Sequence, residues 1–388
     1  MDAGAEAAPP SVGTIAGPLE VGPIAHGGHC VCRWNGMVVF VRNAIPGEVV
    51  KVRITGVQSR FARGEVFEVI EASPLRRAAP CPIAATCGGC DFQHLLPEDS
   101  RELKRQVVAE LVAHHAGYEV TARVEAPDSD GFGWRTRMRY HRDAEGRLGL
   151  RAHRSNDVVA LPERGCLIAA ASIARPGTVP GGGDVLAVAA ASATVIGQRG
   201  SLPRTVTEQV GSRTFEVAAD GFWQSHAEAP RVLTDAVLQA LRPAAGETAF
   251  DLFCGVGLFA GALVDAGCTV LGIEGDTVAT ALARRNVPEG RFYAGDVAAT
   301  LRRLPERCDI VVLDPPRAGA GKAVMAAVAA RRPRAVAYVA CDPAALARDL
   351  ATARDLGYRL DDLRIFDLYG TTHHVECVAL LTNSRDAG

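Results

Sequence analysis

The stretch from Phe215 onward constrains this chain most. "TAFDLFCGVGLFAGALVDAG" reads as a strand, a glycine turn and a helix, and "CTVLGIEGDTVATALARRNV" repeats strand and helix. "RFYAGDV", "CDIVVLDPPRAG" and "RAVAYVACDPAALARDLATARDLG" continue the rhythm. Strands alternating with helices imply an α/β architecture, a doubly wound parallel sheet with helices on both faces. The tail, "RLDDLRIFDLYGTTHHVECVALLTN", gives two strands with no helix between them, which predicts an antiparallel pair at one edge.

Upstream the pattern differs. From Leu19 to about Ser73, valine-heavy runs alternate with polar residues and are cut by "NG" and "PGE" turns, which suits about five short strands of a small oligonucleotide-binding barrel or a plain β-module. A helix is expected at Pro97–Ala116, and "RPGTVPGGGD" reads as a loop. The organisation expected is a disordered tail (1–14), a barrel (15–73), a central α+β domain (74–214) and the α/β domain (215–388). No apolar run reaches membrane-spanning length, and the acidic start "MDAGAEAAPPSVG" does not read as a signal peptide, so a cytoplasmic location is expected.

In an open parallel sheet, ligands bind beyond the carboxyl ends of the strands, where the strand order reverses. Standing there are Asp251, with Gly255 and Gly257 in "DLFCGVG", then Glu274, Asp296 and Asp314 of "LDPPR". Glu274 follows Asp251 by 23 positions, a spacing that suits a carboxylate on ribose hydroxyls. "GVGLFA" lacks the full dinucleotide spacing, and several acidic strand ends suit a cationic, phosphate-free nucleoside such as S-adenosylmethionine better than NAD.

The fifth strand ends in Cys341, within "YVACDP", directly before the next helix. A helix N-terminus favours a thiolate, whereas a buried cysteine is more commonly a small apolar residue. Glu376 opens the last strand in "HHVECVALL", either as a paired structural acid or as a tuned base. His373 and His374 receive no role.

The chain has 11 cysteines, an odd count that does not favour a disulfide framework. Three lie in "CPIAATCGGC", at Cys81, Cys87 and Cys90, and their spacing leaves zinc, an iron–sulfur cluster or chance open. The net charge of −2 does not point to nucleic acid, but "GFGWRTRMRYHRDAEGRLGLRAHRS" does: Arg135, Arg137 and Arg139 interleave with Phe132, Trp134 and Tyr140. Guanidinium groups neutralise phosphates and rings stack on unpaired bases; an ordinary solvated hairpin is the other reading.

Taken together, these segments resemble the RNA uridine-5 methyltransferases over about residues 17–382. "HGGHCVCRWNGMVVFVRNAIPGEVV" is similar to that family's TRAM barrel, "CPIAATCGGCDFQHL" to its iron–sulfur motif and "GWRTRMRY" to its RNA-facing strand. "GFWQSH", "YVACDPAALARDL" and "HHVECVALL" resemble its first donor contact, its nucleophile segment and its base segment. The resemblance implies a Rossmann-like class I methyltransferase domain behind an OB-like barrel and a central domain. It implies S-adenosylmethionine and a [4Fe–4S] cluster as cofactors and rRNA or tRNA as partner. Cys341 becomes the nucleophile and Glu376 the base. Gln224, Phe253, Glu274, Asp296 and Asp314 become donor contacts. Cys166, in "LPERGCLIA", joins Cys81, Cys87 and Cys90 as the fourth cluster ligand, although four thiolates also suit zinc. Arg135, Arg137 and Arg139 become RNA contacts.

Three positions depart from the family pattern. Asp342 follows the nucleophile where Asn is usual, His226 replaces an Asn, and Leu258 stands where some members have Asn. Asp342 is expected to raise the Cys341 pKa and oppose the helix end. A non-catalytic RNA-binding or chaperone protein on the same scaffold is the competing reading. A cytosine methyltransferase would carry its nucleophile in a Pro-Cys segment on the fourth strand, where this chain has "LDPPR".

Overall fold

The computed structural model describes residues 11–127 and 130–383. Residues 1–10 of the expected tail lie outside the described residues. Gly13 donates to the Ile54 carbonyl, and Ile54 donates back to that of Thr14, so regular pairing begins before Ile15. The described chain divides into two compact units. Among the described residues the first comprises 11–107, Arg151–Val159 and Thr371–His373, and the second comprises 108–127, 130–150, Ala160–Gly370 and 374–383.

The first unit is built on β1 (Ile15–Glu20), β2 (Ile24–Ala25), β3 (His29–Trp34), β4 (Met37–Arg42), β5 (Val49–Val57) and β6 (Phe61–Glu71), in the order β1-β5-β6-β4-β3-β2. Period-two alternation buries Val50, Val52 and Ile54 and turns Lys51 and Arg53 outward. Phe92, Leu95 and Leu103 close the same core. Residues 97–103 belong to α1 (Pro97–Ala116), whose acidic first turn (Glu98, Asp99) complements the helix dipole.

Next in chain order come β7 (Val124–Glu125), β8 (Arg137–Arg142), β9 (Leu148–Arg151), β10 (Val158–Ala160), β11 (Val185–Ala189) and β12 (Thr194–Gln198). β11 pairs antiparallel with both β8 and β12. β13 (Thr205–Val210) and β14 (Arg213–Ala218) form a hairpin. The α/β core follows as α2 (Ala229–Leu241), β15 (Thr248–Leu252), α3 (Leu258–Asp265), β16 (Thr269–Glu274), α4 (Thr277–Asn286), β17 (Arg291–Ala294), α5 (Val297–Leu301), β18 (Ile310–Leu313), α6 (Gly321–Ala329), β19 (Ala335–Ala340), α7 (Pro343–Asp355), β20 (Tyr358–Phe366) and β21 (Glu376–Asn383).

The large sheet runs β17-β16-β15-β18-β19-β21-β20-β7. Its strands are apolar on both sides because helices cover both faces. Ile310 and Val312 of β18 join the α2–α3 side, whereas Val311 and Leu313 join the α6–α7 side. Strand order reverses between β15 and β18, which opens a crevice at their carboxyl ends. The tail strands are antiparallel as the sequence suggests, but they are not the rim: β7 pairs in parallel with β20 and covers it. A two-residue strand distant in sequence carries no periodicity to reveal this.

Candidate active site

Each acidic residue expected at the crevice stands at or just past a strand end. Asp251 is fully buried in β15; its Oδ2 accepts from the Ala260 amide at 2.8 Å, while its Oδ1 has no hydrogen-bond partner. The glycine turn that follows requires left-handed backbone at Gly255 (φ 53°) and Gly257 (φ 94°). Phe253 also adopts it (φ 64°), a costly conformation for a side chain with a Cβ, of the kind that persists where a site holds it. Glu274 fastens the turn: Oε2 accepts from the Gly255 amide at 2.9 Å and Oε1 from the Asp276 amide at 2.8 Å. Asp296 caps α5 by accepting from the Ala299 amide at 2.8 Å. Gln224 is buried, 5% exposed.

Burial and neighbouring carboxylates raise Asp251 and Asp314. Burial, then Asp314 and Glu274, push Asp251 up to about 8 against the pull of the Ala260 amide. Burial and Glu274 push Asp314 up to about 7. An acidic crevice in this state favours a cation, because a positive charge relieves the repulsion.

Cys341 and Glu376 come together through strand register. β19 and β21 are antiparallel, with Ala340 opposite Cys377, so the residues one step further, Cys341 and Glu376, face each other across the pair. Asp342 caps α7, accepting from the Ala345 amide at 2.8 Å, and Pro343 takes the first helical position. The expectation of a thiol lowered by the helix end does not hold. Burial first, then Glu376, Asp314 and Asp342, push the Cys341 thiol up to about 12, with Arg317 pulling the other way. A half-buried thiol among three carboxylates outweighs one helix terminus. Glu376 is 3% exposed and is pushed up to about 8 by burial and Asp314, opposed by Tyr369 and Arg317.

The sequence reading did not single out Tyr369 or Arg317. Tyr369 donates its hydroxyl to Glu376 Oε1 at 2.7 Å. Arg317 follows "LDPP" directly, and its place in that segment was the only available signal. His226 stacks on Trp134 with ring centroids 6.1 Å apart and accepts from the Glu228 amide through Nδ1. Leu258 is a buried first residue of α3.

The arginines of the basic strand separate. Arg139 is exposed; Arg135 is half-buried, its guanidinium 5.9 Å from the Trp134 ring. Arg137 forms an ion pair with Glu208 at 3.2 Å and donates to the Ala219 carbonyl. Burial lowers Arg137 and raises Glu208, so desolvation outweighs mutual attraction on both sides.

In the first unit Cys81, Cys87 and Cys90 are buried, and Cys166 is buried in the second. The Arg42 guanidinium donates to the carbonyls of Ala85 (3.0 Å), Cys87 (2.7 Å) and Cys90 (2.7 Å) and so shapes the cysteine loop. The Gly89 amide donates to Cys87 Sγ and the Thr371 hydroxyl to Cys90 Sγ. His373, given no role from sequence, meets Asp91 Oδ2 through both its amide and Nδ1. Among the described residues no group of three or more His, Cys, Asp or Glu side chains is arranged to hold a metal ion. No helix among them is long and apolar enough to cross a membrane.

A doubly wound sheet with an antiparallel β21, a glycine turn and an acidic crevice defines a class I methyltransferase. Family models agree: a TRAM domain matches residues 18–67, and tRNA (Uracil-5-)-methyltransferase matches residues 301–384. An uncharacterized RNA methyltransferase of Streptomyces avermitilis is 41% identical over 94% of this chain and 97% of its own length. The 23S rRNA (uracil(1939)-C(5))-methyltransferase RlmD of a Shewanella species is 29% identical, covering 93% of this chain and 94% of its own. Pyrococcus abyssi tRNA (uracil-54, C5)-methyltransferase, solved with S-adenosyl-L-homocysteine, shares the fold. Its TM-score is 0.73 at 21% identity, over 94% of this chain and 99% of that one. The chain belongs to the RNA (uracil-5-)-methyltransferase family.

Proposed function

We propose that this enzyme methylates C5 of a uridine in rRNA or tRNA through a covalent bond between Cys341 and C6 of the base. The observation that carries the reading is the facing of Cys341 and Glu376 across the β19–β21 pair. Uracil C5 is too weak a nucleophile to take a methyl group unaided. Addition of the Cys341 thiolate to C6 breaks the ring conjugation and leaves an enolate with electron density on C5. C5 then takes the methyl group of S-adenosylmethionine, and S-adenosylhomocysteine leaves. Glu376 removes the C5 hydrogen, the C5–C6 double bond reforms, and the thiolate departs.

Gln224, Phe253, Glu274, Asp296 and Asp314 hold the donor in this reading, with Glu274 on the ribose, Asp296 on the adenine side and Asp314 between donor and uridine. The sulfonium charge supports it, because a cation offsets the carboxylates that, together with the larger effect of burial, push the Cys341 thiol up. The target base must leave its stack to reach the thiol. The TRAM barrel, Arg135 and Arg139 hold the flanking RNA, and the ion pair of Arg137 positions that strand.

Cys81, Cys87, Cys90 and Cys166 would hold a [4Fe–4S] cluster in this reading, as the resemblance implies. Support comes from donors to two sulfurs, which favour thiolates, against burial that raises the Cys87 thiol. Four thiolate ligands would leave such a cluster no open position, so its part would be structural support and not methyl transfer.

The test is RNA carrying 5-fluorouridine. Fluorine at C5 cannot leave as a proton, so the adduct should persist through denaturation and map to Cys341. A covalent link at another residue, or none, sinks the reading. Mapping 5-methyluridine in rRNA and tRNA from a deletion strain identifies the target.

A further inference from the structure

Tyr369 lies between β20 and β21, in the segment that leads into Glu376. Its ring is held from two sides: Trp134 meets it edge-on at 5.6 Å and His374 at 6.0 Å. Trp134 is itself buried, and its indole N–H donates to the carbonyl of Gly370, the residue after Tyr369. The phenol therefore has little freedom, and its O–H is committed to Glu376 Oε1 at 2.7 Å. A phenol has a single O–H to give. Given to one carboxylate oxygen, it restrains the carboxylate's rotation and leaves Oε2 free of this donor.

We propose that Tyr369 is a positioning residue for the base, holding the Glu376 carboxylate in the orientation from which it takes the C5 hydrogen. This rests on the covalent reading above. The step it controls is the last one. The C5–H bond breaks, its electron pair forms the C5–C6 double bond, the C6–S bond breaks to return the thiolate, and the proton goes to Glu376. Tyr369 keeps its own proton throughout. Addition of the thiolate and methyl transfer do not require the base, so Tyr369 acts on release and not on either earlier step.

The charged and titratable groups facing Glu376 give the sign of the accompanying pH effect. Asp314 opposes the ionised carboxylate, while Arg317 and the Tyr369 hydroxyl favour it. Cys341 and Cys377 lie close enough to feel the Glu376 charge. Removal of the Tyr369 hydroxyl takes away one of the two groups that stabilise the base form, so the pH at which release becomes fast moves upward.

A bond that only satisfies a buried hydroxyl would not act on one step alone, and the test uses that difference. Full-length enzyme and its Tyr369→Phe variant are given methyl-labelled S-adenosylmethionine and total RNA from a deletion strain, then quenched with denaturant at short intervals. The variant should form the methyl-labelled covalent complex at the wild-type rate and lose it about ten-fold more slowly, with the release profile displaced to higher pH. With 5-fluorouridine RNA, where no proton leaves, both should form adduct equally fast. Release at the wild-type rate, or a matching slowdown in fluorinated adduct formation, overturns the proposal while the covalent reading stands. A wild-type enzyme that forms no adduct with fluorinated RNA overturns both.

Discussion

Cys341 and Glu376 stand one step beyond Ala340 and Cys377, the last residues paired between β19 and β21. The two groups come from segments separated by a whole helix and strand, yet backbone hydrogen bonding fixes their spacing. The register of two strands, not the conformation of a loop, sets how far apart they stand. Four expectations follow from this arrangement and its surroundings.

Cys341→Ala should abolish 5-methyluridine formation and the covalent complex with fluorinated RNA. The side chain is half-buried and small, so the melting temperature should hardly move. Residual methylation above background, read by nucleoside mass spectrometry, would remove this thiol from the reaction.

Glu376→Gln should still transfer one methyl group and then stall. General-base help is worth roughly 10²–10⁴-fold, so turnover should fall by that factor while the labelled complex accumulates. A burst of label in single-turnover gels, followed by slow release, is the expected record.

The donor-free enzyme should lose stability as pH rises from about 6 to 8. Asp251, Asp314 and Glu376 are held near 8, 7 and 8, well above ordinary carboxyl values. In that range the folded state holds protons that the unfolded state has released, so their contribution is full below the ordinary carboxyl range and is lost as pH passes 7 to 8. Melting curves at pH 6 and 8 measure it. S-adenosylmethionine, whose sulfonium opposes the carboxylates, should recover more stability at pH 8 than at pH 6.

Arg137 and Arg139 should separate cleanly. Arg137→Ala strips a mostly buried Glu208 of its partner and should cost about 3 kcal/mol of stability in urea unfolding. Arg139→Ala should leave stability unchanged within about 0.5 kcal/mol and weaken RNA binding, with a shallower salt dependence in filter binding.

Strand–helix alternation announced the doubly wound sheet because both faces of each strand are covered, and that leaves continuous apolar runs such as Ile310–Leu313. The acidic strand ends were legible for a related reason: the crevice of such a sheet has a fixed place. The covering of the tail strands by β7 was not legible, because two residues carry no period. Nor was the partner of Arg137. Seven arginines in one stretch look alike in sequence, and only their neighbours distinguish Arg137 from exposed Arg139.

The amino-acid order alone determined the architecture and the place of the crevice, because local period encodes them; Cys341 and Glu376 stood out only through resemblance to the family's motifs. Tertiary structure alone decided their protonation. The Cys341 thiol is pushed up to about 12 by burial and by carboxylates that include Glu376 and Asp314, and Glu376 is met by a phenol fixed between Trp134 and His374. Burial and charge are set by which distant segments pack together, and no local pattern records that.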